Sequence, residues 1–108
     1  MSEPPPPGAG FVRLAEGVMA QDAADEAVLM DLGRGTYYAL NAVGARVLAW
    51  ARALPSADAV VERLAEEYEV DTEVLRRDVE RLLSELESQE LITVDRGGWT
   101  VPPVAGGE

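Results

Sequence analysis

The side chains of this chain that could do chemistry are carboxylates, arginines and tyrosines, because its 108 residues include no cysteine and no histidine. That composition excludes thiol nucleophiles, imidazole bases and Cys/His metal sites. The acidic residues form no recognisable acid/base pair or metal-binding motif, so the sequence predicts a protein that is not an enzyme and holds no cofactor. The remaining chemistry is hydrogen bonding and ion pairing, which is the chemistry of binding.

The first group of residues suited to binding is an aromatic strand, Thr36–Leu40, whose sequence is Thr-Tyr-Tyr-Ala-Leu. A Gly-Arg-Gly turn at 33–35 joins it to the preceding apolar segment and predicts a β-hairpin. Asn41 follows directly, and its side-chain oxygen can accept a hydrogen bond from the first turn of a helix. Because side chains alternate across a strand, at least one of Tyr37 and Tyr38 is expected to face the core.

The second group lies on the longest predicted helix, which is capped by Asp71 or Thr72 and ends near Gln89. Its core face is an apolar stripe at helical spacing, which consists of Leu75, Val79, Leu82, Leu83 and Leu86. A second row stands beside that stripe and consists of Val74, Asp78, Arg81 and Glu85. Charges in such a row usually form ion pairs one turn apart, as Arg81 with Glu85 would.

Three predicted strands form an antiparallel meander at the start of the domain. The first runs over Phe11–Ala20 with a bend near Gly17, the second over Glu26–Leu32, and the third is the aromatic strand. A small hairpin, 91–94 with 99–101, is predicted to close the chain.

Two further helices precede the long one. The first runs from Asn41 to about Ala53, and its predicted core face consists of Val43, Val47, Trp50 and Ala51. Ser56 caps the second, which reaches Tyr68. The fold class is therefore α+β and winged-helix-like, with an N-terminal three-stranded antiparallel sheet, three helices and a small C-terminal hairpin. A meander packed against an independent three-helix bundle is the alternative.

Charge and terminal composition limit the binding partners, domain bounds and location that the sequence predicts. The net charge of −11 disfavours binding to nucleic acid phosphates or to anionic membranes. Residues 1–10 predict a disordered Pro/Gly-rich tail, residues 11–101 a single domain, and residues 102–108 a loose tail. With no signal-peptide pattern and no apolar run long enough to span a bilayer, the sequence predicts a cytoplasmic protein.

The order and spacing of these segments resemble the PqqD-like family, also called RiPP recognition elements. These are small domains that hold the leader segment of a ribosomally made precursor peptide. The matching residues lie between Phe11 and Val94 and are Val28-Leu29-Met30-Asp31, Tyr37-Tyr38-Ala39-Leu40-Asn41-x-x-Gly44, Trp50, Tyr68-Glu69-Val70, Arg77-Asp78-Val79 and Leu86-x-x-x-Glu90-Leu91-Ile92. The chain is most similar to the free-standing leader-binding proteins of lasso-peptide pathways, which act beside a separate leader peptidase and a cyclase.

The resemblance implies that the protein binds a leader peptide by β-strand addition along Thr36–Leu40 and delivers it to processing enzymes. The long helix would form the wall of the binding groove. Asp78 and Glu85 would then pair with basic leader residues, and Arg81 with an acidic one. The leader-binding residues that the resemblance implies are Thr36, Tyr37, Tyr38, Ala39, Leu40, Val74, Asp78, Arg81, Leu82 and Glu85.

Two other functions fit the same predicted elements. A winged-helix DNA-binding protein would use 71–89 as its recognition helix and 95–98 as its wing. Acids outnumber bases over 56–90, however, and DNA binding needs several basic phosphate contacts. A protein–protein adaptor or homodimer would use the open edge of the meander instead. A salt-sensitive gel shift with duplex DNA tests the first alternative, and sedimentation tests the second.

Overall fold

The computed structural model describes residues 10–23 and 26–95. Five strands and three helices occupy this part of the chain. In order they are β1 Val12–Leu14, β2 Val18–Ala23, β3 Glu26–Asp31, β4 Thr36–Leu40, α1 Ala42–Ala51, α2 Ala57–Tyr68, α3 Thr72–Ser88 and β5 Ile92–Val94. This mixture of elements confirms the α+β class that the sequence predicts.

The strands β2, β3 and β4 form an antiparallel sheet in that order. Asp31 pairs with Thr36 beside the hairpin turn, and Leu29 pairs with Tyr38 further along the same two strands. Gly35 has a φ of 72°, a left-handed conformation that glycine adopts without steric cost. The predicted meander and its Gly-Arg-Gly turn are therefore confirmed.

The predicted first strand, Phe11–Ala20, is wrong in one respect, because the chain forms two short strands there. Gly17 has a φ of 85°, and the Val18 N–H donates to the Ala15 carbonyl at 3.0 Å, which closes a tight turn. The turn changes the direction of the chain between β1 and β2. As a result β1 leaves the meander, and β2 alone takes the predicted place beside β3.

The short strand β5 pairs with β1 in an antiparallel two-stranded sheet, in which Leu14 lies opposite Ile92. The prediction of a strand at 91–94 is confirmed, whereas its predicted hairpin partner at 99–101 lies outside the described residues. Hairpin patterns report only neighbouring segments, so they give no signal for a partner near the start of the chain.

A single hydrophobic core joins both sheets and all three helices. Its fully buried members include Leu29 of β3, Leu64 of α2 and Leu83 of α3. Burial of a leucine side chain contributes about 1.5–3 kcal/mol. Trp50 of α1 is buried in the same core, as its position on the predicted core face requires. Because strands and helices share this core, the alternative of an independent three-helix bundle is wrong.

The three predicted helix caps are confirmed. Asn41, Ser56 and Asp71 each accept a hydrogen bond from a backbone N–H of the first helical turn, at 2.8, 3.1 and 2.8 Å. Each cap stabilises its helix by about 1 kcal/mol. The cap at Asn41 also fixes the point at which the chain leaves β4, so α1 begins directly beside the end of that strand.

Candidate functional site

The strand β4 lies at one edge of the three-stranded sheet, and among the described residues it pairs only with β3. In an antiparallel strand every second residue points its backbone N–H and C=O groups away from the neighbouring strand. Along Thr36–Leu40 those groups have no partner within the described sheets. An edge of this kind can form hydrogen bonds with an added extended chain.

The side chains of β4 divide between the two faces of the sheet. Tyr38 and Leu40 lie on the face that packs against the helices, and Leu40 is buried there. Tyr37 and Ala39 lie on the opposite face, where Tyr37 is 75% exposed. The prediction that at least one tyrosine faces the core is confirmed, and Tyr38 is that residue. Thr36, at the start of the strand, is exposed.

An open cavity of about 380 Å³ lies between the start of α1 and the middle of α3. Its lining combines an apolar floor with a polar rim and consists of Asn41, Val43, Gly44, Val47, Asp78, Arg81, Leu82 and Glu85. Val43 is 42% exposed, so its predicted place on the core face of α1 is wrong. The reason is that this open cavity separates the first turn of α1 from α3.

A second cavity, of about 400 Å³, lies along α3 and is lined by Val74, Arg77, Asp78 and Arg81. The two cavities share Asp78 and Arg81, and we call them together the α3 groove. Of the ten predicted site residues, the groove brings together Val74, Asp78, Arg81, Leu82 and Glu85. The other five are those of β4 itself.

The charged residues that line the α3 groove form contacts with one another and with β4. Arg81 Nη2 lies 2.9 Å from Asp78 Oδ1 in an exposed ion pair. The predicted ion pair of Arg81 with Glu85 is therefore wrong. Glu85 instead forms a hydrogen bond with the hydroxyl of Tyr38. Burial, followed by this hydrogen bond and the charge of Glu85, raises the pKa of Tyr38. This interaction connects β4 to α3.

A further contact links the tip of the β3–β4 hairpin to the end of α3. Arg34, in the turn, forms an ion pair with Glu90, and its Nε atom lies 3.7 Å from Asp31 Oδ2. Together with the Tyr38–Glu85 contact, this pair places the start of β4 near the end of α3. The sequence gives no signal for Arg34 and Glu90, because the two residues are far apart along the chain and each is an ordinary surface charge in isolation.

The edge of β4 offers backbone hydrogen bonds, and the α3 groove beside it offers an apolar floor with charges of both signs on its rim. This combination fits an extended peptide, whose main chain pairs with the edge while its side chains enter the groove. Within residues 10–23 and 26–95, no group of three or more acidic, histidine or cysteine side chains could hold a metal ion. Over the same residues no helix has the length and apolar character needed to cross a membrane.

Comparison with known proteins agrees with this geometry. Residues 26–92 match the family model of coenzyme PQQ synthesis protein D (PqqD), and the chain belongs to this family. The matched range includes β3, β4 and all three helices. The family resemblance that the sequence predicts is therefore confirmed.

Two solved structures are similar to the chain over most of its length. One is TbiB1 in complex with the TbiA(beta) leader peptide, with a TM-score of 0.69 and 31% identity over 74% of this chain and 93% of that chain. The other is lasso peptide synthetase B1 complexed with the leader peptide, with a TM-score of 0.72 and 25% identity over 78% of this chain and 99% of that chain. A comparison with curated proteins finds no match.

Proposed function

We propose that this protein binds the leader segment of a ribosomally made precursor peptide and delivers it to processing enzymes, without catalysing a reaction itself. The observation that carries the proposal is the unpaired edge of β4 beside the α3 groove. Membership of the PqqD family supports it, as does the likeness to two proteins whose structures contain a leader peptide.

The mechanism is addition of the leader as a fourth strand beside β4. Each new backbone hydrogen bond contributes only about 1 kcal/mol net. A strand as short as Thr36–Leu40 therefore cannot offset the entropy lost when a flexible peptide becomes ordered, and apolar side chains must supply the rest. Val43, Val47 and Leu82 form the apolar floor that an anchoring side chain of the leader would cover.

Each predicted site residue takes a part in this mechanism. In β4, alternate residues of Thr36–Leu40 pair with the leader through the backbone. The side chain of Leu40 is buried and does not contact the leader. Val74 and Leu82 contribute apolar contact. Asp78, Arg81 and Glu85 give the rim charges of both signs with which leader side chains would pair.

The enzymes that receive the leader are a leader peptidase and a cyclase of the same pathway, in the cytoplasm. This part of the proposal rests on the resemblance to free-standing leader-binding proteins of lasso-peptide systems. The DNA-binding alternative receives no support from the matched proteins. Charge also opposes it, because α3 carries five acids against three arginines.

Fluorescence polarisation with labelled leader peptides tests the proposal. The probes are the TbiA(beta) leader and the leader of the lasso peptide synthetase B1 complex, each with a scrambled version and with labelled duplex DNA as controls. Binding of at least one leader at micromolar concentration, with no binding of its scrambled version or of DNA, is the expected result. Equal affinity for leader and scrambled peptides, or preference for DNA, would overturn the proposal.

A further inference from the structure

Most of the described arginines of this acidic chain form ion pairs, and Arg77 of α3 does not. Arg34, Arg46, Arg63, Arg76 and Arg81 each form an ion pair. Arg77 forms none with any described residue, although it lies on α3 among several acids. An exposed guanidinium without a partner inside a groove is available to a ligand.

No carboxylate forms an ion pair with Arg77 in the described part of the chain, and its neighbours on α3 have other partners. Asp78 pairs with Arg81 at 2.9 Å. Arg76, the neighbour of Arg77 along the helix, pairs with Asp58 of α2. The positive charge of Arg77 is therefore not compensated by a contact, and it faces the second cavity of the groove.

The charges along the groove are unevenly distributed. Arg77 and Arg81 are one helical turn apart and line the same cavity near the start of α3. Glu85 lies further along the helix, where its carboxylate is held by Tyr38. Of the three charged residues that line this cavity two are arginines, so this end of the groove has an excess of positive charge within a protein whose net charge is −11.

We propose that Arg77, with Arg81 beside it, binds a carboxylate side chain of the leader, so that the protein selects leaders with an Asp or Glu at the position that meets the start of α3. The inference rests on the proposed function and adds a charge preference to it. A guanidinium binds a carboxylate through two parallel hydrogen bonds. The exposed side chain of Val74 in the same cavity gives the aliphatic part of that acid an apolar contact.

A substitution scan of the TbiA(beta) leader tests this charge preference. Each position in turn carries Glu, Gln or Lys, and binding is measured by fluorescence polarisation to the wild-type protein, to Arg77→Glu and to Arg13→Glu. Arg13 is a matched control, because it is an exposed arginine of β1 without an ion pair among the described residues. Arg13→Glu also changes the net charge of the protein by the same amount as Arg77→Glu. Circular dichroism shows whether each variant is folded.

The expected result is one leader position at which Glu binds roughly two- to five-fold more tightly than Gln in the wild-type protein, the range for an exposed ion pair. Arg77→Glu should invert that order so that Lys binds best, and Arg13→Glu should leave it unchanged. The same order in both variants would overturn the inference and leave the proposed function intact. Failure of the wild-type protein to bind the unsubstituted leader in preference to its scrambled version would count against the proposed function itself.

Discussion

Replacing Val43 with aspartate is expected to abolish tight leader binding while leaving the fold intact. Val43 lies in the first turn of α1 and forms part of the groove floor. That turn contains no acidic residue, and a carboxylate there interacts favourably with the positive end of the helix dipole, by about 0.3–1 kcal/mol. This gain partly offsets the roughly 1 kcal/mol lost from the part of Val43 that is already buried, so the variant should remain folded with a small loss of stability.

The loss of binding can be worked out from the exposure of this side chain. Full burial of a valine contributes about 1.5–3 kcal/mol, so a ligand that covers the 42% still exposed gains about 1 kcal/mol. A carboxylate left under the ligand without a partner costs a further ~1–3 kcal/mol. A total of at least about 2 kcal/mol corresponds to a loss of affinity of about 30-fold or more.

The assay is polarisation with the labelled leader, accompanied by a thermal melt. Val70→Asp is the matched control, because Val70 is 40% exposed, lies between α2 and α3 outside the groove, and receives the same charge. The control should bind the leader as the wild-type protein does. A folded Val43→Asp variant with wild-type affinity would refute the assignment of the groove floor.

Three further outcomes follow from the described contacts. Tyr38 holds its proton more tightly in the folded protein than in the unfolded chain, where tyrosine titrates near pH ~10. The free energy of unfolding should therefore fall as the pH rises above about 10 toward the raised pKa of Tyr38. In alkaline denaturation curves this decrease should be smaller for Tyr38→Phe than for the wild-type protein. Glu69 follows the last residue of α2 and has a φ of 53°, a left-handed conformation that glycine adopts at lower cost than glutamate. Glu69→Gly should therefore raise the free energy of unfolding by about 1 kcal/mol in urea titrations. An unchanged or lower value would contradict this. Leu83 is fully buried, so Leu83→Ala should cost about 2–5 kcal/mol on the same titration, and a cost below that range would show that the core can collapse around the cavity.

Features that depend on short-range chemistry could be predicted from the sequence. Asn41, Ser56 and Asp71 are each followed by helical periodicity, and each is a cap in the structure. The apolar stripe of α3 is buried at Leu75, Val79, Leu83 and Leu86, with Leu82 at its margin. Periodicity and capping need only a few neighbouring residues, so the chain itself carries these signals.

Features that depend on distant partners could not be predicted in the same way. Val43 is exposed because an open cavity separates the first turn of α1 from α3, which no local pattern reports. Glu85, the predicted partner of Arg81, interacts instead with Tyr38 of a separate element. Likewise, the partner of β1 is β5, which lies near the other end of the described chain. Tertiary arrangement decides each of these outcomes.

The pairing of β1 with β5 also brings together the two ends of the described chain, where the Asp95 N–H donates to the Phe11 carbonyl at 2.7 Å. Neither strand lines the α3 groove or belongs to the sheet with the free edge. A domain whose ends meet can be inserted into a loop of a larger protein, or attached through either end, without altering its fold. The same architecture can therefore serve as a separate protein or as a covalently tethered module, and a short tether to an enzyme would raise the local concentration of a bound peptide to the millimolar range.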